Sequence, residues 1–174
     1  LGDFNPLAQL IGTFVLAGIL RQTVSLSLTT LIAVPMGILF AFLLVLLSPS
    51  MIDQFVSFFG DFISTLKEQV ENAGQIMLPE PPGEKLVVGM IGVANTAAVV
   101  LCLFLARYWQ AVLYNPRGFG VEFRALRYSA VIAFPLAIGF SLVSGVDNYQ
   151  SWAGFFGLPL TVSGIALVHS KAQT

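Results

Sequence analysis

Charge is scarce in this chain: Asp, Glu, Lys and Arg make up 10% of its 174 residues. A soluble domain carries about a quarter. So few charges cannot cover a water-exposed surface of this size, and with 56% hydrophobic residues most of the surface must face lipid. Cysteine is almost missing too. Cys102 is alone, within an apolar run, which excludes an intramolecular disulfide, makes a metal cluster a poor reading and leaves a small hydrophobe.

Histidine is equally rare. His169 stands beside Ser170 and Lys171 at the end of an apolar segment and reads as a solvated interfacial residue. No His-Glu-x-x-His, glycine-rich phosphate loop or Gly-x-Ser-x-Gly is present, and no Asp, Glu, Lys or Arg sits in the middle of an apolar segment. An enzyme is therefore not expected, nor a proton relay, and no catalytic, cofactor-binding or metal residue is assigned. The net charge of −1 speaks against a nucleic-acid partner. The first residues, Leu1-Gly-Asp-Phe-Asn-Pro6, have neither an initiator Met nor the basic region of a signal peptide. The expectation is a chain incomplete at both ends.

What is abundant is apolar sequence, in five segments: residues 6–20, 24–47, 86–106, 128–144 and 152–168. A spanning helix needs about 20 residues, so 6–20 is short and 24–47 suffices with tilt. As one helix, residues 6–47 would be about 60 Å long, twice the hydrocarbon core, so a reversal is expected near Arg21-Gln-Thr23. No Gly or Pro marks it.

Residues 51–72 follow a different rule. Ile52, Phe55, Val56, Phe59, Ile63, Leu66 and Val70 repeat at helical spacing, with Asp53, Asp61, Lys67, Glu68 and Glu71 between them. Ser48 and Pro49 suit the start of a helix and Gly74 its stop. The pattern fits an amphipathic helix in the bilayer interface or packed over the bundle. Its polar face is acidic, so protein packing is as good a reading as lipid binding. Pro79-Glu-Pro-Pro-Gly83 then forms a stiff link, and Gly145-Val-Asp-Asn148 a turn.

Basic residues are clustered. Residues 107–127 carry Arg107, Arg117, Arg124 and Arg127 against one acid, Glu122, whereas the stretch from Asp53 to Lys85 holds six acids and two lysines. Placing each basic connector on the cytoplasmic side makes all five segments alternate without conflict. The fold expected is thus all-α: a polytopic bundle of about five spans plus one amphipathic helix, multi-pass in a bacterial cytoplasmic (inner) membrane. Residues 49–85 would be exported and 107–127 would form a cytoplasmic connector.

Two sites stand out. Asn95, followed by Thr96, lies at membrane depth and must find a polar partner, so it should face the protein interior. It reads either as an interhelical hydrogen bond or as an anchor in a ligand cavity. Gly89, Ala94 and Ala98 beside it suit close helix approach. Ser25, Ser27, Thr29 and Thr30 suit bonds back to their own helix. In the connector, Tyr114-Asn-Pro-Arg-Gly118 reads as a turn with Gly118 free to take positive φ, and 119–127 as a short surface helix. Arg107, Arg117, Arg124 and Arg127 either anchor orientation or dock a cytoplasmic protein or anionic lipid.

The stretch Ala106-Arg-Tyr-Trp-Gln-Ala-Val-Leu-Tyr-Asn-Pro-Arg-Gly-Phe119, with Glu122-Phe-Arg-Ala-Leu-Arg127, resembles the YybS-like family of uncharacterised bacterial multispan membrane proteins. That family is similar in fold to the substrate-binding subunits of energy-coupling-factor transporters, which capture vitamins or metals. The resemblance implies a substrate-capture component of a transporter and carries over no ligand-binding residue. The competing reading is a non-catalytic interaction or assembly partner of another membrane or cytoplasmic protein, embedded in the lipid bilayer, with no cofactor.

Overall fold

The computed structural model describes residues 4–71, 80–116 and 118–171. They form seven α-helices and one 3₁₀ turn, with no strand among the described residues. The helices are α1 (Phe4–Thr23), α2 (Leu26–Leu47), α3 (Pro49–Glu71), α4 (Glu84–Tyr114), α5 (Gly118–Arg124), α6 (Ala130–Ser144) and α7 (Ala153–Lys171). The 3₁₀ turn, Gln150–Trp152, leads into α7. Three stretches are long and apolar enough to cross a membrane: Leu26–Leu47, Glu84–Tyr114 and Gln150–Lys171. α6, at 15 residues, is apolar but shorter.

The chain does reverse after Arg21. Val24 donates its N–H to the Leu20 carbonyl at 2.8 Å and takes φ 50°, left-handed backbone that a β-branched residue enters only with strain. Ser25 then caps α2 by accepting the Leu28 N–H at 3.2 Å. α1 and α2 pack as an antiparallel pair: Gln9 and Leu16 line the same cavity as Gly37 and Ala33. Thr29 and Thr30 are buried and bond back to the carbonyls of Ser25 and Leu26, at 2.8 and 2.7 Å.

Ser48 joins α2 to α3 through its backbone: its N–H closes on the Leu44 carbonyl and its carbonyl receives the N–H groups of Met51 and Ile52. α3 packs on the bundle through Ile52, which is 1% exposed, with Val56 behind it. The stop expected at Gly74 lies outside the described residues. Gly83 opens α4.

α4 departs from the expected 86–106. It runs on to Tyr114, so that Arg107, Tyr108 and Trp109 are helical and the connector is shorter than 107–127. Nothing in that stretch breaks a helix until Asn115-Pro116, where proline cannot continue the hydrogen-bond ladder. Gly118 also differs from expectation. Rather than taking positive φ it starts α5, where an added Cβ would lie 2.6 Å from Asn115 Nδ2.

Glycines let α2, α4 and α7 approach closely. A Cβ on Gly37 would meet Thr96 Oγ1 at 2.1 Å and Phe155 at 2.7 Å; one on Gly89 would meet Ser151 Oγ at 2.3 Å and Trp152 at 2.5 Å. Ala94, by contrast, is exposed and takes no part. Through Gly89, Ser151 Oγ reaches the Leu86 carbonyl at 2.8 Å and Trp152 Nε1 the Lys85 carbonyl at 2.8 Å. The buried residues form two groups. One, with Val34, Ala41, Leu44, Ile52, Val88 and Phe155, lies toward the α3 end; the other, with Leu16, Leu20, Val100, Leu103, Leu126 and Ala166, lies toward α5.

Candidate functional site

The connector is organised by one ion pair. Glu122 on α5 accepts two hydrogen bonds from Arg107 on α4, Nε to Oε2 at 2.9 Å and Nη2 to Oε1 at 2.5 Å. Arg107 Nη1 also donates to Gln110 Oε1 at 3.0 Å. Both partners are about three-quarters buried, and the two-pronged geometry fixes α5 against the end of α4 in position and rotation. Glu122, the one acid of the connector, is thus the residue that orders it.

Around this clamp the aromatic residues pack edge to face, apart from one stacked pair. Phe119 stacks on Phe123 with ring centroids 5.8 Å apart, Tyr108 meets Phe119 at 5.9 Å, and exposed His169 of α7 meets Phe123 at 6.3 Å. They border an open groove of about 770 Å³, with Arg124 and Gly120 on its wall. Arg124 donates Nε to the Gly120 carbonyl at 2.9 Å. Arg127 is exposed on the extended stretch after α5. Arg117 lies outside the described residues. The arginines therefore divide: Arg107 holds the connector together, and Arg124 and Arg127 border the groove and the open surface.

Tyr128 ties this end to α2, its hydroxyl donating to the Ser27 carbonyl at 3.1 Å.

The second site is interior. Asn95 and Thr96, each 8% exposed, face α1 and α2. Gln9 of α1 donates to Asn95 Oδ1, and Thr96 Oγ1 donates to the Gly92 carbonyl at 2.8 Å. Sequence reasoning misses Gln9, although it is an amide inside an apolar run just as Asn95 is. The two amides share a hydrogen bond inside the apolar bundle, where an unpaired amide would be costly. The cavity beside them is about 50 Å³ and otherwise apolar, lined by Leu16, Met36, Phe40 and Val99 among others. That is room for about three or four waters, well below the roughly 300 Å³ of a small-molecule pocket. Its polar groups are two amides and a hydroxyl, which orient a ligand but do not move protons at neutral pH.

Among the described residues no group of three His, Cys, Asp or Glu comes together, and Cys102 is exposed on the outer side of α4. The class these features define is an all-helical membrane bundle with a clamped basic connector at one end. No family model, no curated protein and no solved structure matches the chain.

Proposed function

We propose that this is a non-catalytic, multi-pass protein of the bacterial inner membrane that docks another membrane or cytoplasmic protein at its arginine-bearing end. In this reading α1, α2, α4, α6 and α7 are five spans, and α3 lies outside them on the exported side. α6, about 22 Å long, would rely on its flanking residues or a locally thinner bilayer.

One observation carries the reading. Basic residues far apart in sequence gather at one end of the bundle: Arg21 and Arg107 border one recess, and Arg124 and His169 border the neighbouring groove. The opposite end holds Glu84, Lys85 and the Asp147 turn, joined through the bonds of Ser151 and Trp152. Such an asymmetry supports a cytoplasmic connector, because basic residues resist translocation and acids count little. One wall of the groove, α5, is fixed on α4 by the Arg107–Glu122 pair, as suits a preformed docking surface.

The test is to replace Arg117, Arg124 and Arg127 together by lysine. Lysine keeps the topogenic charge and loses the planar fork that grips carboxylates and phosphates. The variant should insert normally, with a cysteine at Gly118 still unlabelled from outside intact cells, and should lose its co-purifying partner in native mass spectrometry. Unchanged recovery of every partner would reduce these arginines to anchors.

A second reading, a transporter substrate-capture component as the YybS-like resemblance implies, is favoured by the Gln9–Asn95 pair. It requires the interior cavity to widen for its ligand. A stoichiometric small molecule in the same spectra, lost in Asn95→Leu, would select it.

A further inference from the structure

We infer that α3 is seated along the bilayer edge, with Phe55, Phe58 and Phe62 immersed in the hydrocarbon. At about 100° per residue its side chains fall into three sectors roughly a third of a turn apart, not the two of an ordinary amphipathic helix. Ile52, Val56, Phe59 and Ile63 form the first, buried or half-buried against the bundle. Asp53, Asp61 and Glu68 form the second, all exposed. The third is the phenylalanine stripe, with exposures of 38, 63 and 52%.

A helix lying on protein in water meets two media and needs two faces. Three faces match three media: protein, water and lipid. Its position in the chain agrees. α2 exposes Leu39, Phe42 and Leu46 down one side, as a lipid-facing span does, and only Ser48 separates it from α3. The start of α3 is therefore next to the hydrocarbon boundary. Beyond Phe62 the same sector carries Thr65 and Gln69, both exposed. The stripe is thus apolar as far as Phe62, about 20 Å along the helix, and polar beyond it, so the helix rises out of the hydrocarbon toward its far end. A protein partner covering the whole helix would give no reason for that change, whereas a tilted approach to a planar interface does.

Site-directed spin labelling of the chain in phosphatidylcholine–phosphatidylglycerol nanodiscs tests this. With Cys102→Ala as background, nitroxides are placed by F58C, F62C, D61C and Q69C, all at exposed positions. Labels at 58 and 62 should be relaxed mainly by oxygen, the label at 61 mainly by a water-soluble nickel chelate, and 69 should lie between. Nickel-dominated relaxation at 58 and 62 would put the stripe in water and overturn the inference. An immobilised spectrum closed to both reagents would show a protein, a second copy included, on that face, and would overturn it equally. The readout does not involve the connector, so it stands or falls apart from the docking proposal.

Discussion

The two ends of α4 are fastened by different physics. At its last turns the joint is ionic: Arg107 reaches Glu122 with a long side chain, and the pair sets where α5 lies. At its first turns the joint is made by uncharged donors: Ser151 and Trp152 donate to the carbonyls of Leu86 and Lys85. An ionic joint depends on a pair of groups being present and is weakened by salt. A neutral joint at this range depends on an atom being absent, since only the missing Cβ of Gly89 lets the indole and the hydroxyl reach the backbone. One is electrostatic and tolerant of spacing; the other is steric and is not.

The contrast breaks most readily at the steric end. Gly89→Ala puts a Cβ 2.3 Å from Ser151 Oγ, so α4 and the 3₁₀ turn must separate and both hydrogen bonds weaken. Even after the helix-propensity gain of alanine, a loss of about 2 kcal/mol is expected. Thermal unfolding in detergent would register it, with little dependence on salt; an unchanged midpoint would mean the close approach is not required. The ionic end should yield less. Glu122→Gln keeps the shape and removes the charge, and because the pair is partly solvated the expected loss is about 1 kcal/mol. A double-mutant cycle with Arg107→Gln should return a coupling of that size that shrinks in high salt. A coupling independent of salt would place the connector under steric rather than ionic control. The smallest effect has the opposite sign. Val24→Gly releases a β-branched residue from φ 50° at an exposed turn, for a gain of about 0.5–1 kcal/mol after the added chain entropy. Destabilisation instead would show that the Val24 side chain, and not its backbone, holds the α1–α2 turn.

Much of the architecture can be read before any coordinates, because apolar runs, turn residues and the 51–72 periodicity are local signals. α2, α3, α7 and the Gly145–Asn148 turn are of that kind. The end of α4 is not. Arg107 marks where the chain leaves the apolar medium, but a helix stops where its backbone can no longer continue, which happens at Asn115-Pro116. Gln9 and Asn95 are 86 residues apart, and a single sequence records that each amide needs a partner without recording which. The division of α3 into three faces is hidden for another reason. Phe55 and Phe59 look alike in any hydropathy pattern, and only the folded arrangement separates the half-buried ring from the exposed one. Glu122 is conspicuous as the lone acid among arginines, yet spacing alone does not choose its partner.

α4 has 31 residues and no proline, a continuous rod of about 46 Å. Such a rod is a lever. Pivoting it by about 10° at the Ser151–Trp152 joint would carry Tyr114 sideways by roughly 7 Å. Because Arg107 rides on the rod and holds α5 through Glu122, the wall of the groove formed by α4 and α5 would travel as a unit while the opposite wall, His169 of α7, stayed behind. Its mouth would widen or narrow with the tilt of a single helix. Such a lever arm would convert a slight reseating at one end of α4 into a change of fit at the other.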